Sequence, residues 1–115
     1  MYIHQRLHYA SEVYVVRYDN VIKDTWAHGA ADRLNISTSI TNVIKGNKKI
    51  GDSISFYRIF EGRIKDTSTM INRQYIVFID KRGNDLVIDP QDPSAVIYAN
   101  CERVKYLLKH ESEAD

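Results

Sequence analysis

His4 and His8 stand four residues apart, a spacing that puts two imidazoles on one face of a helix, within reach of a single metal ion. The zinc-hydrolase version of this pair also needs a glutamate directly after the first histidine, as general base. Here that position is Gln5, whose amide takes no proton, and His28 and His110 stand at no recognisable ligand spacing. The pair therefore reads as two polar residues on the wet side of an amphipathic helix, and no metal is expected. Cys101, the single cysteine, could serve as a nucleophile if a histidine activated it. A place at a helix start would lower its pKa, yet no known signature surrounds it, and a free cysteine ordinarily packs as a small hydrophobe. Asp80, Asp85, Asp89 and Asp92 crowd one stretch, but the Asp-Pro pairs lack the alternating carboxylates and glycine that wrap calcium. Turns explain them. Gly46 and Gly51 lack the lysine-serine sequel of a phosphate-binding loop. No catalytic set is complete, so the chain is expected to be non-catalytic and free of cofactors.

Two surface chemistries remain. Lys45, Lys48, Lys49, Arg58, Arg63, Lys65 and Arg73 fall on or between the middle strands, where Phe56 and Tyr57 add rings for stacking. Charge plus stacking is how a barrel can hold single-stranded nucleic acid. Against that, 16 basic residues face 15 acidic ones for a net charge of +1, and non-specific nucleic-acid binding is mainly electrostatic. Nucleic acid is the alternative partner, not the leading one. Eight tyrosines are more than a small interior needs, because each buried hydroxyl must find a partner. Tyr14, Tyr18, Trp26 and Tyr57 are therefore expected to lie at least partly at the surface. Such rings suit an interface with another protein or, as a symmetric dimer, with a second copy.

The elements that would position these groups follow from the pattern of apolar residues. At 115 residues, with 43% hydrophobic and 27% charged, residues 1–115 fit one globular domain. Ile3, Leu7 and Ala10 mark a short first helix. Glu12 to Tyr18 is apolar on both alternating faces, a strand covered on both sides; Asp19-Asn20 predicts a turn or bulge before Val21-Ile22 resume it. Residues 24–32 read as a loop. Leu34, Ile36, Thr38 and Ile40 alternate cleanly with polar residues, and Val43-Ile44 then breaks the phase as a bulge would. A connector with Gly46 and Gly51, where positive φ costs little, leads to a third strand through Ile54 and Phe56. Tyr75 to Ile79 reads as the most buried strand, and Lys81 to Asp85 as the turn of a hairpin to Leu86-Val87-Ile88. Asp89-Pro90 ends that strand. After a short piece at Val96-Ile97-Tyr98, Asn100 is a candidate N-cap for a last helix packing Val104, Leu107 and Leu108.

In order, these pieces resemble the netrin-like, tissue-inhibitor-of-metalloproteinase-type OB-fold domain of bacterial surface and secreted proteins. The residues that carry the resemblance are Ala10 to Val16, Val43-Ile44-Lys45-Gly46 leading into Ile50 to Ile54, Tyr75 to Ile79, and Asn100-Cys101-Glu102-Arg103. It spans roughly residues 10–108 and implies a mainly β fold, a five-stranded barrel with a short N-terminal and a C-terminal helix. The family's inhibitors hold a protease's zinc through an N-terminal cysteine. The chain as given opens Met1-Tyr2-Ile3 and offers Cys101 no partner for a disulfide, so that mechanism is not expected. The longest apolar run is too short to span a bilayer, and a lone cysteine suits a reducing compartment or a chain trimmed of an export segment. A non-catalytic binding module is the expected function.

Overall fold

The strand at Glu12–Thr25 (β1) decides the architecture, because its two faces bury different sets of side chains. In the computed structural model, which describes residues 3–25, 31–61 and 66–114, β1 lies between β2 (Ala31–Lys45) and β4 (Gln74–Arg82). β2 pairs onward with β3 (Ser53–Glu61), and β4 carries two short strands on its far side, β5 (Asp85–Val87) and β6 (Val96–Tyr98). Every pairing is antiparallel. On one face Val13 and Val15 meet Ile76 and Phe78 beneath two helices, α1 (Ile3–Tyr9) and α2 (Cys101–Ala114), which contribute Leu7 and Leu107. On the other, Tyr14, Val16 and Tyr18 join Leu34, Ile36, Ile40, Ile54 and Val77. Ile54 of β3 and Val77 of β4 share that cluster with two strands between them, so the sheet curls over this face. Among the described residues, no helix is long and apolar enough to cross a membrane.

The β-bulges fall where the apolar phase breaks. The pairing of β1 with β2 slips between Tyr18 and Asn20, again where Val16 pairs with Ile40 and Val15 with Asn42, skipping Thr41, and again where Tyr14 pairs with Val43 and Val13 with Lys45, skipping Ile44. Ile40 and Ile44, which an unbroken period of two would put on one face, thus end on opposite faces. At α2 the Asn100 side chain accepts a hydrogen bond from the Arg103 N–H at 2.8 Å, the cap its position predicts.

The expected closed five-stranded barrel is not formed; the sheet has six strands and stays open. The far edge of β3 faces residues 89–93, Asp-Pro-Gln-Asp-Pro, which cannot continue a ladder. Both prolines lack an N–H, and each aspartate folds its carboxylate back onto its own turn, Asp89 onto the Gln91 N–H and Asp92 onto the Ser94 N–H. One main-chain bond crosses the seam, from the Ile59 N–H to the Pro90 carbonyl at 2.9 Å. Two smaller expectations also change. β1 and β2 run on to Thr25 and from Ala31, with Asp24 opposite Arg33, where residues 24–32 read as loop. On α2, Leu107 is buried and Val104 packs beside it, while Leu108 is turned outward and half exposed.

Candidate functional site

β3 presents Ile54, Phe56, Arg58 and Phe60 on alternate residues, so the inward face of an otherwise apolar strand carries a guanidinium. Arg58 is 7% exposed. With Phe60 it forms one wall of a cavity of about 180 Å³, completed by Tyr18 of β1, Leu34 and Ile36 of β2, Met70 from the 3-10 turn Ser68–Met70, Tyr75 of β4 and Val96 of β6. Met70 is held there because the connector is tied to β1: the Asn72 N–H donates to the Tyr18 carbonyl and the Tyr18 N–H to the Arg73 carbonyl, with Asn72 at φ 68°.

Across the cavity the rings form a chain. Tyr18 stacks on Tyr75 at 4.1 Å between centroids and meets Phe56 edge-on at 6.1 Å; Tyr75 meets Tyr98 edge-on at 5.8 Å. Tyr98 is half exposed, so the chain runs from the buried interior to solvent. Burial drives the Tyr18 hydroxyl pKa well above its ordinary value, with Tyr75 adding to the rise and the Arg58 charge offsetting part of it. Among the described residues no hydrogen-bond partner stands at that hydroxyl.

The Arg58 guanidinium donates to two main-chain carbonyls, of Asp89 at 2.6 Å and of Asp92 at 3.0 Å. Burial lowers its pKa below the ordinary arginine value, while Tyr18, Asp92 and Asp89 push it back up. It is still a cation at neutral pH. The two aspartates act on it from a distance, since their carboxylates are engaged elsewhere. Asp89 accepts from the Gln91 N–H and from Arg82, contacts that hold it below the usual carboxylate range. For Asp92, burial raises the pKa, but the Ser94 N–H and hydroxyl outweigh that and leave it lowered.

Of the residues expected at an interaction surface, Tyr14 and Tyr18 are instead buried, at 0% and 3% exposure. Both point inward in step with Val16, an alternation that a count of tyrosines overlooks. Tyr57 is exposed, with the Arg33 guanidinium 4.5 Å over its ring. Trp26 lies outside the described residues. Arg58, Lys45 and Arg73 share no stripe: Arg58 is in the cavity, Lys45 donates to the Leu7 and His8 carbonyls at the end of α1, and Arg73 lies over Tyr98. Arg63 and Lys65 fall outside the described residues, as do His28 and the side chain of His4. His8 packs edge-on against Tyr9, and Cys101 is exposed at the start of α2. Sequence reasoning placed Arg58 among the basic residues of a possible nucleic-acid surface and missed that it faces inward. Its signal was available, an arginine in the inward register of Ile54, Phe56 and Phe60. No protein-family model matches the chain, and no curated protein matches its sequence.

Proposed function

We propose that the protein is a non-catalytic binding module whose ligand enters the cavity on the curled face of the sheet. One observation carries this reading. The cavity's apolar walls carry two polar side chains, Arg58 and Tyr18, and among the described residues no nucleophile–base pair lies on its lining. That is the composition of a binding pocket, in which apolar surface supplies affinity and a few polar groups set orientation. The resemblance to the netrin-like OB fold is kept at the level of architecture: the order of elements and the curled antiparallel sheet support it, with residues 89–93 standing at the seam.

The test is methyl NMR with aromatic fragments of about six to ten non-hydrogen atoms, the size such a cavity admits. Shifts are expected at Leu34, Ile36 and Val96, and are expected to vanish in Val96→Phe, which fills the cavity. A protein whose cavity methyls respond to none of them refutes the reading.

Self-association is the second reading, and a separate surface favours it. Exposed Ile22 and Tyr57 flank a shallow groove across β1, β2 and β3, and β3 ends the strand order of the sheet, an edge that invites pairing. Light scattering is expected to show a mass rising above 13.3 kDa with concentration. A monomer at every concentration removes the second reading and leaves the first intact. Nucleic-acid binding has less support, because Arg58, Lys45 and Arg73 lie at separate places on the sheet.

A further inference from the structure

We propose that the cavity's ligand is a small monocarboxylate, with an apolar body of about six to ten non-hydrogen atoms against Leu34, Ile36 and Tyr75 and its carboxylate at Arg58 and Tyr18. This rests on the reading of the cavity as a ligand site and adds the chemistry of what fills it.

The size follows from the volume. A cavity of about 150 Å³ already holds a benzene-sized ring, so 180 Å³ takes a ring or branched chain with one small head group. The charge of that head follows from Arg58. A guanidinium removed from water is costly unless an anion accompanies it. Here, among the described residues, its bonds go to two carbonyls, which satisfy N–H groups and neutralise nothing. No carboxylate touches it among the described residues: those of Asp89 and Asp92 bond Gln91, Arg82 and Ser94 and support its charge only through space. A ligand anion supplies the direct partner that these distant charges do not, and each terminal nitrogen, already donating one N–H to a carbonyl, keeps a second for a carboxylate oxygen.

Tyr18 adds direction. Its hydroxyl stays protonated at physiological pH, so it donates, and a carboxylate oxygen is the acceptor it lacks. One cation and one neutral donor balance a single negative charge, which favours a carboxylate over a phosphate monoester with about two charges at neutral pH. An ammonium ligand of the same shape would meet Arg58 as a like charge.

Three probes of one shape separate the possibilities: benzoate, benzamide and benzylamine, titrated into the whole chain and followed at the Leu34, Ile36 and Val96 methyls. Benzoate is expected to bind at least about tenfold more tightly than benzamide, as a charge-assisted hydrogen bond does over a neutral one. Benzylamine is expected not to bind. Arg58→Gln, which keeps an amide near the two carbonyls, is expected to erase the difference between benzoate and benzamide. Because that variant also loosens the 89–92 segment, Tyr18→Phe serves as the second: it keeps the ring stack and is expected to narrow the difference severalfold. Equal affinities of benzoate and benzamide for the parent protein overturn the carboxylate while leaving the cavity a binding site. Failure of both to shift the cavity methyls overturns the cavity as well.

Discussion

Asp80→Asn is expected to destabilise the protein by about 3 kcal/mol, the lower end of what breaking a buried ion pair costs. Arg6 of α1 is 5% exposed, and its two terminal nitrogens each donate to one oxygen of Asp80 on β4, both at 2.7 Å. The guanidinium also lies 4.9 Å over the ring of Phe78. Asparagine keeps the shape of the side chain but removes the charge and turns one acceptor into a donor, so a buried cation is left facing an N–H₂. Asp80 is 24% exposed, and water reaching it tempers the loss. The pair links residues 74 apart in sequence and docks α1 over the helix face of the sheet, so its loss reaches Leu7 and its contact with α2. Urea unfolding measures the cost. A change under about 0.5 kcal/mol, the range of ordinary surface substitutions, would show that the pair is solvated and structurally idle. The double variant Arg6→Met with Asp80→Leu is expected to recover most of the stability, because an apolar pair of similar volume needs no counter-ion.

The uneven legibility of this fold has a physical pattern. Local rules held wherever a residue answers to its immediate neighbours. The cap at Asn100, the turn at Gly83, the bulge at Ile44 and the double-sided burial of β1 each follow from a few consecutive side chains. The closure of the sheet and the choice of core residue on α2 depend on partners remote in sequence. Whether a curled sheet closes is decided by what meets its last edge, and here that is a segment with two prolines and two self-bonded aspartates, which no periodicity announces as the neighbour of β3. Leu108 and Leu107 are both plausible core residues of α2, and only the position of Leu7 on α1 selects Leu107. The cavity was hidden for a related reason. Arg58 looked like one of seven basic residues on loops and strand surfaces, although its alternation with Phe56 and Phe60 placed it inside. Tyr18 was assigned to the surface on the rule that buried hydroxyls have partners, and it is the residue that breaks the rule. An exception of that kind, beside an arginine that no carboxylate touches among the described residues, is what a functional site looks like when local rules are applied to it.

Gly46→Ala is expected to cost about 3 kcal/mol, in the range of residues forced into sparsely populated backbone regions with a clash added. Gly46 follows β2 at φ 135°, which a side chain rarely tolerates. A methyl group there would also stand 2.8 Å from Cζ of Tyr14 and 2.9 Å from Cγ of Glu12. Tyr14 cannot simply swing aside. Its ring is fully buried, its hydroxyl accepts the Lys48 N–H at 3.0 Å, and it donates to the Glu12 carboxylate. Burial first, and then that carboxylate, push the hydroxyl pKa up to about 12, so the anchoring bonds persist across the neutral range. Gly51→Ala isolates the backbone part of the cost. Gly51 has φ 95°, but nothing lies within 4 Å of where its Cβ would stand, so about 1 kcal/mol of strain is expected and no clash. The difference between the two variants, measured by urea unfolding under the same conditions, is the resistance of Tyr14 to displacement. Equal losses would mean that the Tyr14 ring yields to an added methyl, and with it the packing that begins the row of inward residues from Tyr14 through Val16 to Tyr18 at the cavity wall.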